Sequence, residues 1–146
     1  SVHQEDLDRM TALIQKHSIQ EVLILGDWIH KKNSWTPELI QELELFFKFH
    51  QNIRWTLLMG NHDRGSLDYL KLFPLNIVHD ELFMEPFRFS HGHDKPTDDD
   101  SGSAGFMIQG HVHPVVVLKE GPVRLRLPCF VLEEDSLLLP SFGTFT

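Results

Sequence analysis

The sequence predicts an α/β domain built in layers, two sheets packed face to face with helices outside, and three observations carry that reading. An amphipathic helical stretch runs into a continuously apolar strand, a second helix and apolar strand repeat the order, and the rest breaks into brief strands separated by turn residues. A length of 146 residues with 41% hydrophobic content supports one sizeable core, so residues 1–146 are read as a single domain.

Taken in order, residues 5–17 place Leu7, Met10, Leu13, Ile14 and His17 at helical spacing. Residues 21–25 then read as a strand, because Val22-Leu23-Ile24-Leu25 is continuously apolar, as in a strand covered on both faces. Gly26-Asp27 ends it, which puts Asp27 at a strand's carboxyl end. Thr36-Pro37-Glu38 is a helix start, with a capping hydroxyl, a proline in the first turn and an early acid, and Leu39, Ile40, Leu43, Phe46 and Phe47 form the inward stripe. The next buried strand, 53–59, closes at Gly60-Asn61. Asp27 and Asn61 therefore come from corresponding ends of successive strands, the edge at which open α/β sheets bind ligands. A short helix is expected over 66–72. Brief strands follow at 77–78, 82–84, 87–90, 106–108, 115–118, 123–127 and 137–139. Residues 94–105, with Asp98-Asp99-Asp100 among Pro, Ser and Gly, have the composition of a solvated loop.

Composition narrows the function classes. The sequence has no apolar stretch long enough to cross a bilayer and no charged-then-apolar leader, and its one cysteine, Cys129, has no internal partner, so a reducing cytoplasm is the expected location. Cys129 sits among Leu127, Pro128 and Phe130 and reads as a buried structural thiol. A net charge of -8, from 21 acidic and 13 basic residues, argues against a basic nucleic-acid coat protein. It argues less against a nuclease, since two divalent ions restore about four positive charges where a phosphate must sit.

Four clusters carry the chemistry: Gly26-Asp27-Trp28-Ile29-His30, Gly60-Asn61-His62-Asp63, His91-Gly92-His93 and Gly110-His111-Val112-His113. Each follows an apolar run. Cleaving a phosphate ester calls for cations that neutralise the phosphate oxygens and activate water, and imidazole, carboxylate and amide oxygen can hold them. An isolated Gly-Asp would be only a turn. Here Asp27 has company, and its two oxygens suit it to bridge a pair of ions. Asn61 offers a neutral oxygen. His62, beside it, can protonate a departing alkoxide or hold the phosphate, with Asp63 placed to orient its ring. His91 follows its strand, and His111 and His113 are read as an alternating pair whose side chains point the same way in extended backbone. His93 is placed behind the ligands, and His30, Lys31 and Lys32 lie near enough to Asp27 in sequence to touch phosphate, although an exposed basic pair is an equal reading of the lysines. An all-nitrogen-and-oxygen set suits manganese, iron or zinc and disfavours a cysteine-type structural zinc site.

These motifs, spread from Gly26 to Pro114, resemble the calcineurin-like metallophosphoesterase superfamily. Gly110-His111-Val112-His113-Pro114, then 126–130, then 137–146 look like one branch of it, the bacterial ligase-associated DNA-damage-response endonucleases related to the SbcD nucleases. The resemblance implies an α/β/β/α metallophosphoesterase sandwich with two divalent ions, manganese foremost. In it Asp27 would bridge, Asn61, His91 and His111 would complete one site, His113 would belong to the other, and His62 would act as acid or transition-state stabiliser. It further implies DNA as substrate, a role in repair and a functional link to a DNA ligase. The superfamily's first motif, Asp-x-His after the first strand, is expected upstream of Ser1. On that expectation the domain is N-terminally incomplete and its second metal site retains only Asp27 and His113; Ser1-Val2-His3 is a poor substitute, since no strand precedes it.

Two other functions compete. The same chemistry could act on a cyclic nucleotide or another small phosphoester, which the acidic composition and scarcity of aromatic stacking residues favour. A non-catalytic scaffold for a protein partner is the third, supported only by the missing motif and opposed by the intact Asn61, His62, His91, His111 and His113. Oligomeric state is not legible.

Overall fold

The computed structural model describes residues 2–29, 35–92 and 105–143. Helix α1, Val2–His17, begins three residues ahead of the periodic stretch, buries Leu7 and Ile14, and places Lys16 and His17 in its last turn, where cations complement the helix dipole. Ser18 then turns the chain at a φ of +50°. Helix α2, Pro37–Phe49, starts where the sequence indicates: the Thr36 side chain accepts a hydrogen bond from the Leu39 amide at 3.2 Å. Its buried face is Leu39, Leu43, Phe46 and Phe47.

Strands β1 (Glu21–Ile24), β2 (Arg54–Leu58) and β3 (Leu75–Val78) form a parallel sheet in that order. Burial on both faces is met at β2, where Leu57 and Leu58, on opposite faces, are both fully buried. It is not met at β1, an outer strand whose Val22, Leu23 and Ile24 are half-buried. Between β2 and β3 come a 3₁₀ turn, Asp63–Ser66, and the short helix α3, Leu67–Leu70. Residues 77–78 thus close the first sheet and do not open the second.

A five-stranded sheet runs β4 (Glu81–Met84), β5 (Phe87–Ser90), β6 (Phe106–Gln109), β10 (Ser136–Leu138), β9 (Val131–Leu132). Its central three strands are parallel and its two edges antiparallel. The two-residue β9 escaped the sequence reading because so short a run has no periodicity to detect. Among the described residues, strands β7 (Val115–Glu120) and β8 (Val123–Pro128) pair only with each other, as a separate two-stranded sheet. Every described helix precedes residue 71.

The core lies on the helix side of the first sheet. Leu43, Leu57 and Leu70 are at most 1% exposed, and burial of each stabilises the fold by about 2 kcal/mol. Aromatic rings fill the space between: Phe47 meets Trp28, Phe46, Trp55 and Phe73, and Trp35 stacks on Tyr69. The Trp35 indole N–H donates to Ser66 Oγ at 2.7 Å, satisfying both groups as they are buried. This packing fixes the carboxyl ends of β1 and β2.

Candidate metal centre

Four strand ends meet. The chain leaves β1 through Leu25-Gly26-Asp27, β2 through Met59-Gly60-Asn61, β5 directly into His91 and β6 through Gly110-His111. Each donor sits at the carboxyl end of a strand in a parallel pair, β1 with β2 and β5 with β6. The first two turns come so close that only glycine fits at their joints. A Cβ on Gly26, at a φ of +82°, would collide with His91 Nδ1 and stand 2.8 Å from the Gly60 amide nitrogen. A Cβ on Gly60 would collide with the Asp27 carboxylate. Asp27 itself has a φ of +51°, a left-handed conformation that aspartate tolerates better than most residues.

His91 is the hub. It is 1% exposed, and its Nδ1 lies 2.8 Å from the Leu25 carbonyl oxygen, which fixes the proton on Nδ1 in the neutral ring and leaves a lone pair on Nε2. That Nε2 is 3.2 Å from Asp27 Oδ2, 3.2 Å from Asn61 Oδ1 and 3.0 Å from His111 Nδ1. Carboxylate, amide oxygen and imidazole nitrogen here turn lone pairs toward one another. A shared proton would reconcile one such contact but not all of them. A cation would reconcile all, and the ligand atoms of Asp27, His91 and His111 lie within 4.8 Å of one another. The donor set therefore fits one divalent ion held by Asp27, His91 and His111, with Asn61 beside them.

Two sequence-derived roles change. Asp63, fully buried, does not orient the His62 ring. Its Oδ2 accepts from the amides of Asp27 at 2.7 Å and Gly60 at 2.9 Å, and its Oδ1 accepts from that of Trp28 at 3.1 Å. It ties the two ligand turns together. Burial pushes its carboxyl above the ordinary carboxylate value, with the three amide donors opposing that shift and the Asp27 charge adding to it. His62 is exposed beside this clamp, and its backbone amide donates to Asp27 Oδ1 at 3.1 Å.

His111 and His113 are not an alternating pair in extended backbone either. Strand β6 ends at Gln109, His111 and Val112 form a turn, and His113 has a φ of +48°. His111 is aimed instead by its amide, which donates to the His91 carbonyl at 2.8 Å. His113, half-buried, lines a cavity of about 570 Å³ that also reaches Asp27, Gly26 and His3. His3 belongs to α1 and does not follow a strand. Cys129 is half-buried, its amide donating to the Pro114 carbonyl at the foot of the β7–β8 hairpin. His30, Lys31, Lys32, His93 and the Asp98-Asp99-Asp100 stretch lie outside the described residues.

Sequence reasoning missed the backbone of the site: the Leu25 carbonyl that sets the His91 tautomer and the three amides that hold Asp63. The signal present was the repeated pattern of apolar run, glycine and donor, since the glycines mark where backbones approach.

A layered α/β fold with histidines, an aspartate and an asparagine gathered at parallel strand ends defines a metallophosphoesterase, a hydrolase of phosphoric esters. The family model of the calcineurin-like phosphoesterases matches residues 2–133, and the chain belongs to that family. The crystal structure of the nuclease MPE from Pseudomonas putida is similar, with 36% sequence identity and a TM-score of 0.84, over 98% of this chain and 67% of that one. That likeness places the chain in a nuclease-like branch. None of the curated proteins matches it. Among the described residues, no helix is long and apolar enough to cross a membrane.

Proposed function

We propose that the chain is a metal-dependent phosphodiesterase acting on DNA. The observation that carries this is the convergence of Asp27, Asn61 and His111 on His91 Nε2, with His62 exposed beside it. In this reading Asp27, Asn61, His91 and His111 hold one ion, and Asp27 and His113 contribute to a second. Divalent ions, manganese first and iron or zinc as alternatives, would supply neutralisation of the phosphate oxygens and activation of water near neutral pH.

The chain's own residues do the rest. The His91 tautomer keeps its lone pair toward the site because its Nδ1–H donates to the Leu25 carbonyl. Asp63 holds the Asp27 and Asn61 turns at a fixed separation. His62, in contact with solvent, donates a proton to the departing ester oxygen and takes its next from water. The similar structure is that of a nuclease, which supports a phosphodiester of nucleic acid as substrate. A cytoplasmic role in DNA repair beside a ligase, and manganese as the ion used, rest on the sequence resemblance. The net charge of -8 favours a small phosphoester as the second reading.

Cleavage of single-stranded DNA, a cyclic nucleotide and an aryl phosphodiester, each with manganese, tests the proposal, with His62→Ala as control. DNA cleavage that depends on metal and drops about 100-fold in the control is the expected result. Turnover of the cyclic nucleotide alone would move the assignment to small substrates. No turnover of any substrate, despite bound metal, would leave a scaffold.

A further inference from the structure

The hairpin of β7 and β8 rises directly from the turn that carries His111 and His113, and the metal centre gives it no task. Its register places Val116 opposite Leu127, Leu118 opposite Leu125 and Glu120 opposite Val123 on one face. The other face pairs Val117 with Arg126 and Lys119 with Arg124. One side is thus largely apolar, while the other presents Lys119, Arg124 and Arg126 with no acid among them. All residues of both strands are exposed. No ion pair or side-chain hydrogen bond joins the charged groups of Lys119, Arg124 or Arg126 to another described residue. In a chain of net charge -8, three unneutralised cations on one face of a projecting ribbon form a local field opposite in sign to the whole.

We propose that this basic face binds the phosphate backbone of a nucleic-acid strand and guides it to the metal centre. The choice of nucleic acid rests on the phosphodiesterase reading above. Two features on the hairpin favour it. The ligand must be an extended polyanion, because the three charges lie along a ribbon and do not converge on a pocket. The charges also begin close to the site: Arg126 stands opposite Val117, four residues from His113 and within about 14 Å of it at full extension. A strand lying along the ribbon would thereby pass from the cationic face to the histidines. Backbone charge contacts of this kind carry no sequence preference.

Binding is measured without turnover, by fluorescence anisotropy of a labelled single-stranded oligonucleotide in the absence of divalent metal, across salt from about 50 to 200 mM. The test variant is Lys119→Gln, Arg124→Gln and Arg126→Gln together. Its control is Lys16→Gln, Lys48→Gln and Lys71→Gln, which removes the same charge from exposed positions elsewhere. The hairpin variant is expected to bind about tenfold more weakly and to lose about 2 from the slope of log K against log salt, at roughly 0.7 per phosphate contact. The control should stay within about twofold of the parent.

Equal losses in both variants, an unchanged hairpin variant, or a parent protein that does not bind the oligonucleotide would each overturn the proposal. So would a hairpin variant that loses binding to phosphatidylserine vesicles while keeping the oligonucleotide, since an amphipathic ribbon with a basic face also suits an anionic membrane. Hydrolysis of the aryl phosphodiester by the parent protein separates the two readings. Turnover without oligonucleotide binding removes the hairpin's role alone. Oligonucleotide binding lost on the hairpin variant, with no turnover of any substrate, removes the phosphodiesterase alone.

Discussion

The turns after β1 and β2 and the hairpin of β7 and β8 are both connections beside the metal centre, yet they differ in almost every constraint. In the turns, glycines are required by close backbone approach, Asp27 holds a left-handed conformation, and a buried carboxylate collects three amides. In the hairpin, every strand residue is exposed and the pairing is only with itself. A turn of the first kind is fixed by many simultaneous contacts and is suited to hold donors at set distances. A ribbon of the second kind owes little of its sequence to the core, which leaves its surface free to carry charge.

The largest effect should follow from His91→Ala, which removes the ring that three donors share. Metal binding followed by titration calorimetry, together with phosphodiester turnover, is expected to fall by more than about 100-fold, beyond the cost of deleting a partner behind a ligand. Binding retained within a few-fold would mean that the convergence on Nε2 does not hold an ion.

Asp63→Ala separates a clamp from a catalytic orienter. Three amides, two of them in buried bonds, lose their acceptor, so the fold should lose about 3 kcal/mol or more, read as a lower denaturant midpoint. If Asp63 served only to orient His62, turnover would fall while the midpoint stayed put, and the contrast between turns and hairpin would lose its main support.

The core side supplies a pH dependence that the hairpin cannot, since the hairpin holds no histidine. His50 is 5% exposed, lies against Phe46 and Trp55, and has its Nε2 2.8 Å from Thr11 Oγ1. Burial lowers its pKa from the ordinary 6.5, so the folded state favours the neutral ring. Its contribution is fully present above 6.5 and is lost as pH falls below that value toward the folded pKa, where the unfolded chain binds the extra proton. Melting temperature should therefore fall less steeply between about pH 7.5 and 5.5 in His50→Gln than in the parent. An unchanged slope would place the pH sensitivity elsewhere.

Much of this was legible in the residues. Helix α2 announced itself through Thr36, Pro37 and an inward stripe, and the donors that follow apolar runs singled out Asp27, Asn61, His91 and His111, which lie together in the structure. The same reading gave Asp63 the wrong partner, because proximity in sequence to His62 says nothing about where amides from a turn 36 residues earlier will point. It also assumed extended backbone from His111 to His113, since alternating apolar and polar residues look identical in a strand and in the turn that follows one. The hairpin's division into basic and apolar faces was present in the alternation of 115–128, but it became visible only with the register, which fixes which residues stand opposite one another.

The smallest effect tests whether the hairpin is as independent of the core as its exposure implies. Leu118 and Leu125 face each other across the ribbon and are 51% and 50% exposed. Replacing both with threonine keeps strand propensity while shedding apolar surface, so the stability change should be within about 0.5 kcal/mol. For a chain of this size that is a shift of roughly 1 to 2 °C in melting temperature. A loss several times larger would mean that the apolar face is covered in solution. A melting temperature that rises with protein concentration in the parent and not in the double variant would then identify the cover as a second copy of the chain.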